Sequence, residues 1–125
     1  MAILDGVKGL EVWVEVDGKR AEEFWDPTEV SANPKEVRRY IEGVPGKRFS
    51  IYEEFKPDFE SKQYGQRVVV NIDGVIEERE VIVSESLGRP AGFKSFCNGI
   101  EQETQDGKIV FRYFQFEGLN IGWYA

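Results

Sequence analysis

Apolar and polar residues alternate along several short segments of the chain. In Leu10–Val16 every second residue is apolar, which is the period of a β-strand with one buried face. The dipeptide Asp17-Gly18 follows directly and is a strong signal for a two-residue hairpin turn. Residues 19–25 are therefore predicted to return as the partner strand.

The same alternation, bounded by turn residues, recurs to the end of the chain. Further strands are predicted at residues 37–42, 49–55, 67–72, 75–83, 93–99 and 108–116. Asp73-Gly74 and Asp106-Gly107 predict two more hairpin turns, and Pro45-Gly46 predicts a type II turn. Proline-containing and polar segments predict loops at residues 26–35, 56–66 and 84–92.

No segment of helical length has a 3.6-residue apolar period, so the pattern predicts an all-β protein. About seven to nine short antiparallel strands indicate a single β-sandwich domain over residues 1–125, and jelly-roll and immunoglobulin-like topologies both stay open. Phe49, Ile51 and Phe55 are expected to supply core side chains. The last strand, 108–116, has aromatic residues on both faces, which predicts that it is covered on both sides.

The net charge of the chain and the clustering of its carboxylates limit the classes of binding partner. The chain of 125 residues has a formal net charge of −7, which disfavours nucleic-acid binding because the phosphate backbone is repelled. An acidic loop carries a concentrated share of the carboxylates, namely Glu22, Glu23, Asp26 and Glu29. This loop is compatible with a basic protein partner.

The scarcity of cysteine and histidine limits the chemistry. Cys97 is the single cysteine and histidine is absent, so zinc sites and Ser–His or Cys–His pairs lack their residues. A lone cysteine favours a reducing compartment. With no signal-like start and no apolar run of about 20 residues, we expect an intracellular protein, cytoplasmic or nuclear, without a membrane segment.

Neighbouring carboxylates do not predict an active site. Glu53-Glu54 and Glu77-Glu78 lie in predicted strands, where adjacent side chains point to opposite faces. The glycines match neither the dinucleotide-binding pattern nor the P-loop pattern. The sequence therefore predicts a protein that is not an enzyme and has no cofactor and no metal site.

Aromatic residues outside the predicted core are the main candidates for binding. Trp13 lies on the polar face of its strand, Trp25 sits where a predicted strand runs into the acidic loop, and Trp123 and Tyr124 end the chain. Rings in such places anchor protein interfaces and stack on sugars. Packing of Trp13 against another layer, with Trp123 closing one end of the fold, is the competing interpretation.

Four blocks of the sequence also resemble a known family. They are MAILDGVKGLEVWVEVDGK, VRRYIEGVPGKRFSIYEEF, RVVVNIDGV and IVFRYFQFEGLNI. Together they resemble an amino-terminal domain of many fungal proteins, the DUF7918-like family, which is a domain of unknown function. The resemblance implies a β-sandwich and a fungal source, and it assigns no activity and no role to any residue.

These observations together predict a non-enzymatic interaction module that binds another protein or assembles with itself. Trp13, Trp25, Trp123 and Tyr124 would be its anchors, and the acidic loop would attract a basic partner. A symmetric dimer through residues 108–116 is the self-assembling form. A carbohydrate-binding sandwich and an acidic, histone-chaperone-like sandwich are the alternatives.

Overall fold

The computed structural model of the protein describes residues 2–3, 8–29, 35–59, 66–81 and 93–117. Within these ranges the chain forms strands, turns and irregular segments and no helix, which confirms the all-β class. The strands are β1 Ala2–Ile3, β2 Leu10–Val16, β3 Lys19–Arg20, β4 Phe49–Phe55, β5 Gln66–Ile72, β6 Val75–Val81, β7 Phe93–Cys97, β8 Gly99–Glu103 and β9 Ile109–Tyr113.

A central antiparallel sheet organises the other elements. Its five strands have the order β1-β2-β4-β7, with β3 paired to β2, while β5–β6 and β8–β9 are separate hairpins. The chain that leaves β9 pairs with the beginning of β4: Arg48 lies opposite Gln115, and the Phe49 N–H donates to the Phe114 carbonyl at 3.1 Å. Backbone hydrogen bonds therefore fix the β8–β9 hairpin to the sheet.

The three predicted Asp-Gly turns form, in two different geometries. Both residues of Asp17-Gly18 and of Asp73-Gly74 have positive φ, as a type I′ hairpin turn requires. At the third turn only Gly107 has positive φ, and its N–H donates to the Thr104 carbonyl at 3.0 Å. That turn is the longer type, in which a glycine follows a type I turn.

One face of the central sheet packs against the β5–β6 hairpin. Val70, Cys97 and Phe114 are the buried residues of this hydrophobic cluster, and the partly buried residues around them are Phe49, Ile51, Val68, Ile72 and Ile100. Alternate residues of β5 thus face the sheet, as the period of a strand dictates. At the end of β4, Phe55 is 3% exposed and packs edge-on against Phe59. The predicted core residues of β4 are confirmed.

The opposite face carries an aromatic ladder, formed by Arg20, Trp13, Tyr52 and Phe96. The register places Trp13 opposite Tyr52 and Tyr52 opposite Phe96, and the ring centroids are 5.6 and 5.2 Å apart. The Arg20 guanidinium lies 3.9 Å from the centre of the Trp13 ring. Cross-strand stacking and a cation over the terminal ring stabilise this face, and Trp13 is only 2% exposed.

The predicted strand at residues 37–42 is wrong. Within the described part of the chain, it pairs through a single bridge, in which the backbones of Phe24 and Tyr40 exchange hydrogen bonds of 2.8 and 2.7 Å. Asp26-Pro27 follows closely, and because proline has no N–H to donate, the pairing cannot continue. The predicted return strand 19–25 likewise ends at Arg20.

The second half of the chain differs in one element. The predicted strand 93–99 ends at Cys97, and a further strand, β8, begins at Gly99. The sequence of β8, GIEQE, contains a glycine and three polar residues of low β-propensity. Its strand conformation depends on its pairing with the strongly β-forming residues of β9.

The two tryptophans of the described chain provide a matched test of the ladder. We expect Trp13→Ala to lower the free energy of unfolding by about 3–5 kcal/mol, because a large buried ring is removed. Trp25→Ala removes a ring that is 62% exposed and should change the free energy by less than about 0.5 kcal/mol. Urea unfolding followed by circular dichroism measures both values, and equal losses would contradict the assignment of Trp13 to the ladder.

Candidate functional site

The outer face of the β8–β9 hairpin exposes a row of large apolar side chains. Alternate residues of β9 point outward, and Ile109, Phe111 and Tyr113 are 72%, 47% and 49% exposed. The inner face of the hairpin instead contributes Ile100 and the following Phe114 to the hydrophobic cluster. The prediction that the last strand is covered on both sides is therefore wrong for β9.

Gly99 fixes the position of the central ring in this row. A Cβ atom at Gly99 would lie 2.8 Å from the Phe111 ring and would also collide with the Arg112 carbonyl. The absence of a side chain lets the Phe111 ring extend over β8, and this ring packs edge-on against Tyr113 at 4.9 Å. Glycine in a strand commonly marks such a close approach.

Two carboxylates lie beside the apolar row. Glu103 is opposite Ile109 and Glu101 is opposite Phe111, and both glutamates are exposed. In the described part of the chain, no lysine or arginine forms an ion pair with either of them. We call Glu101, Glu103, Ile109, Phe111 and Tyr113 the hairpin surface.

A cleft of about 220 Å³ borders the hairpin surface at Tyr113. Its lining residues are Glu15, Asp17, Gly18, Arg48, Phe49, Ser50, Tyr52, Asn98 and Tyr113. The Arg48 guanidinium lies 4.1 Å from the centre of the Tyr113 ring, and Tyr52 is stacked between two rings of the ladder. The aromatic faces are thus largely occupied by the protein's own side chains, and the cleft presents mainly polar groups.

The predicted aromatic anchors have different environments. Trp13 is buried in the ladder, and its indole N–H donates to Glu15 at 2.9 Å, so it cannot act as a surface anchor. Trp25 is exposed and has the Arg39 guanidinium 5.2 Å from its ring centre. Trp123 and Tyr124 lie outside the described residues.

The carboxylates of the acidic loop are partly neutralised by neighbouring residues. Glu29 accepts a 2.5 Å hydrogen bond from the Tyr40 hydroxyl and lies 3.4 Å from Arg38. Glu23 lies 4.0 Å from Arg39 and Glu22 is exposed. Two arginines therefore offset much of the charge that the sequence places here.

Asp26, the remaining acidic-loop residue, has a local structural role. Its carboxylate accepts hydrogen bonds from the Thr28 N–H at 2.9 Å and from the Thr28 hydroxyl at 2.7 Å. These bonds lower the pKa of Asp26. Among the described residues no three metal-ligating side chains come together, and no helix is long and apolar enough to span a membrane.

The sheet brings together one pair of carboxylates that sequence spacing does not reveal. Glu11 and Glu54 are directly opposite on β2 and β4, and Lys94 lies opposite Glu54 on the next strand. Lys56 forms an ion pair with the buried Glu11 at 2.5 Å, and this hydrogen bond raises the pKa of Lys56. Lys56 thus compensates Glu11, and the register places Lys94 beside Glu54.

Tyr40 provides a test of the acidic-loop geometry. The hydrogen bond to Glu29 raises the pKa of Tyr40 above its ordinary value of about 10. The contribution of this bond to stability is therefore present below pH ~10 and is lost as the pH rises through the folded-state pKa. Glu29→Gln should lower the pKa of Tyr40, measured by tyrosine ring-carbon NMR, and the exposed-site control Glu22→Gln should not. An unchanged pKa in Glu29→Gln would refute the contact.

Comparison with known proteins identifies the family of the chain. Neither the curated proteins nor the solved structures contain a significant match. A family described as a domain of unknown function, DUF7918, matches residues 9–123, a range that includes β2 to β9 and the whole hairpin surface. The resemblance inferred from the sequence blocks is confirmed, and the chain belongs to the DUF7918 family.

Proposed function

We propose that this domain is a non-enzymatic interaction module that binds another protein through the hairpin surface. The observation that carries the proposal is the outward row of Ile109, Phe111 and Tyr113 on one rigidly attached hairpin. Burial of apolar surface gains about 25 cal/mol per Å². A row of large side chains with two aromatic rings is the kind of cluster that dominates binding energy at protein interfaces.

The exposed apolar side chains of the β5–β6 hairpin are less suited to this role. On the β5–β6 hairpin the exposed Val69 and Ile76 are aliphatic, and Ile76 lies opposite the polar Asn71. Isolated exposed aliphatic residues are normal on protein surfaces. Trp25 remains a candidate for a second contact because its ring is exposed beside Arg39.

Carbohydrate binding in the cleft is a second candidate function. The cleft combines hydroxyl, amide, carboxylate and guanidinium groups, which can donate to and accept from a neutral polyol. Its volume is below the roughly 300–1,000 Å³ of pockets for drug-sized ligands and suits a single sugar ring. A sugar would have to displace Arg48 to stack on Tyr113, which makes this the weaker candidate.

The structure also supports a proposal for the architecture of the module and for its cellular environment. We propose that the central sheet and the two hairpins constitute one β-sandwich, since β5–β6 covers one face of the sheet. The single cysteine, Cys97, is buried and forms no disulfide, and its thiol donates to the Gly99 carbonyl at 3.5 Å. A buried thiol outside any disulfide supports a reducing, intracellular environment.

A peptide selection with a matched pair of variants tests the proposed function. Random peptides are selected on the wild-type domain and their affinities are then measured for Ile109→Ser and Ile76→Ser, which each remove one exposed isoleucine. We expect a loss of about tenfold or more for Ile109→Ser, because burial of its side chain is worth about 1.5–3 kcal/mol. Ile76→Ser should leave the affinity unchanged.

Two results would count against the hairpin surface. Selected peptides that bind both variants as tightly as the wild type would place the binding site elsewhere. Enrichment of glycans on an array, abolished by Ser50→Ala and unaffected by Ile109→Ser, would establish the cleft and the carbohydrate alternative instead.

A further inference from the structure

We infer that the partner of the hairpin surface is a basic segment, in which lysine or arginine residues flank apolar residues. The inference rests on the proposed function and adds the chemistry of the partner. Its basis is the arrangement of two parallel rows on one face, an apolar row on β9 and an acidic row on β8.

The spacing of the two rows defines what fits on them. Glu103 and Ile109 are cross-strand neighbours, as are Glu101 and Phe111, and such neighbours have Cβ atoms about 4.5–5.5 Å apart. Within β9 the outward residues repeat at about 6.8 Å, twice the rise per residue of a strand. A segment lying on this face would therefore place an apolar group and a cation within one side chain's width of each other.

Lysine and arginine combine both properties. Their aliphatic stems cover apolar surface while the charged ends reach polar groups, so a stem over Ile109 or Phe111 brings its charge to Glu103 or Glu101. The exposed ring of Phe111 adds cation–π attraction. An acidic partner would instead bring like charges together along β8, which is unfavourable.

The overall charge favours the same choice. The net charge of −7 attracts a basic partner at long range and repels a second copy of the chain. A second copy packed face to face would also bury the carboxylates of Glu101 and Glu103 from both molecules in one interface. A basic segment neutralises these carboxylates, whereas self-association concentrates them.

The hairpin surface thereby takes the role that was predicted from the sequence for the acidic loop. In that loop, Arg38 and Arg39 approach Glu29 and Glu23, so a basic partner would compete with cations already in place. Neither Glu101 nor Glu103 has such a cation in the described chain. The uncompensated charge lies next to the exposed apolar row of β9.

The test uses two synthetic peptides that share their apolar residues and differ only in charge. One alternates leucine with lysine and the other alternates leucine with glutamate. Binding to the full chain is measured by calorimetry at low and high salt, and the contact is mapped by amide chemical shifts. We expect binding of the lysine peptide alone, shifts centred on β8 and β9, and weaker binding at high salt because exposed charge pairs are screened.

Two double variants with the same change in net charge distinguish the effect of the carboxylates on β8 from the effect of the overall charge. The double variant Glu101→Gln, Glu103→Gln should bind the lysine peptide with about tenfold lower affinity, since each exposed ion pair contributes up to about 1 kcal/mol. The control, Glu22→Gln with Glu42→Gln, makes the same change in net charge at exposed sites away from the hairpin surface and should lower this affinity by less than about twofold. Equal weakening by both double variants would overturn the local charge match.

Other outcomes separate this inference from the function on which it rests. If the glutamate peptide binds as well as the lysine peptide and both lose affinity in Ile109→Ser, the surface binds protein but the basic partner is wrong. If lysine-peptide binding is unaffected by Ile109→Ser, the hairpin surface itself is wrong. Concentration-dependent dimers in sedimentation, abolished by Ile109→Ser, would replace the basic partner with a second copy of the chain.

Discussion

The central sheet has to be protected on both faces, and the chain protects each face in a different way. Hydrophobic side chains of β5 cover one face through Val70. On the other face the aromatic ladder serves as its own cover, because each ring shields its neighbour and Arg20 lies over the terminal ring. Long charged side chains can cover apolar surface in this way while their ends stay solvated. Among the described residues, the contacts that bury Trp13 are those of Tyr52 and of the cations Arg20 and Lys94.

The β8–β9 hairpin packs against the rest of the domain through its inner face. Its inner face completes the cluster through Ile100 and Phe114, and backbone hydrogen bonds attach its end to β4. Its outer face contributes nothing to these contacts, yet it carries the large residues of β9. Exposed apolar rows of this kind cost solubility and mark interaction surfaces when they are contiguous. The proposed function and the proposed basic partner both follow from this surplus of apolar surface next to the unpaired acids of β8.

The sequence predicted the elements whose signals are local. β2, β4 and the hairpin of β5 and β6 follow from alternation and Asp-Gly turns, which fix strand and register within a few residues. β8 and the irregular path at residues 37–42 were not predictable, because both depend on the partner that a segment meets in the fold.

The candidate site was less predictable than the fold. Trp13 alternates as a surface residue does, and its burial depends on the cross-strand position of Tyr52 and on the cation of Arg20 over its ring. Conversely, 108–116 has the composition of a buried strand, and its exposure depends on which layer lies above it. The pairing of Glu101 with Phe111 could have been found from the third Asp-Gly turn, had GIEQE been recognised as the partner strand.

Hydroxyl-radical footprinting of the isolated domain, with residue-level mass spectrometry, would separate the buried ladder from the exposed hairpin surface. It measures the solvent access of each aromatic side chain. Solvent access distinguishes rings that are packed within the fold from rings that lie on the hairpin surface. Burial of Trp13 in the ladder and exposure of the hairpin surface predict strong protection of Trp13 and rapid oxidation of Phe111 and Tyr113. Protection of Phe111 and Tyr113 equal to that of Trp13 would contradict this prediction, because the hairpin surface would then already be covered within the domain itself.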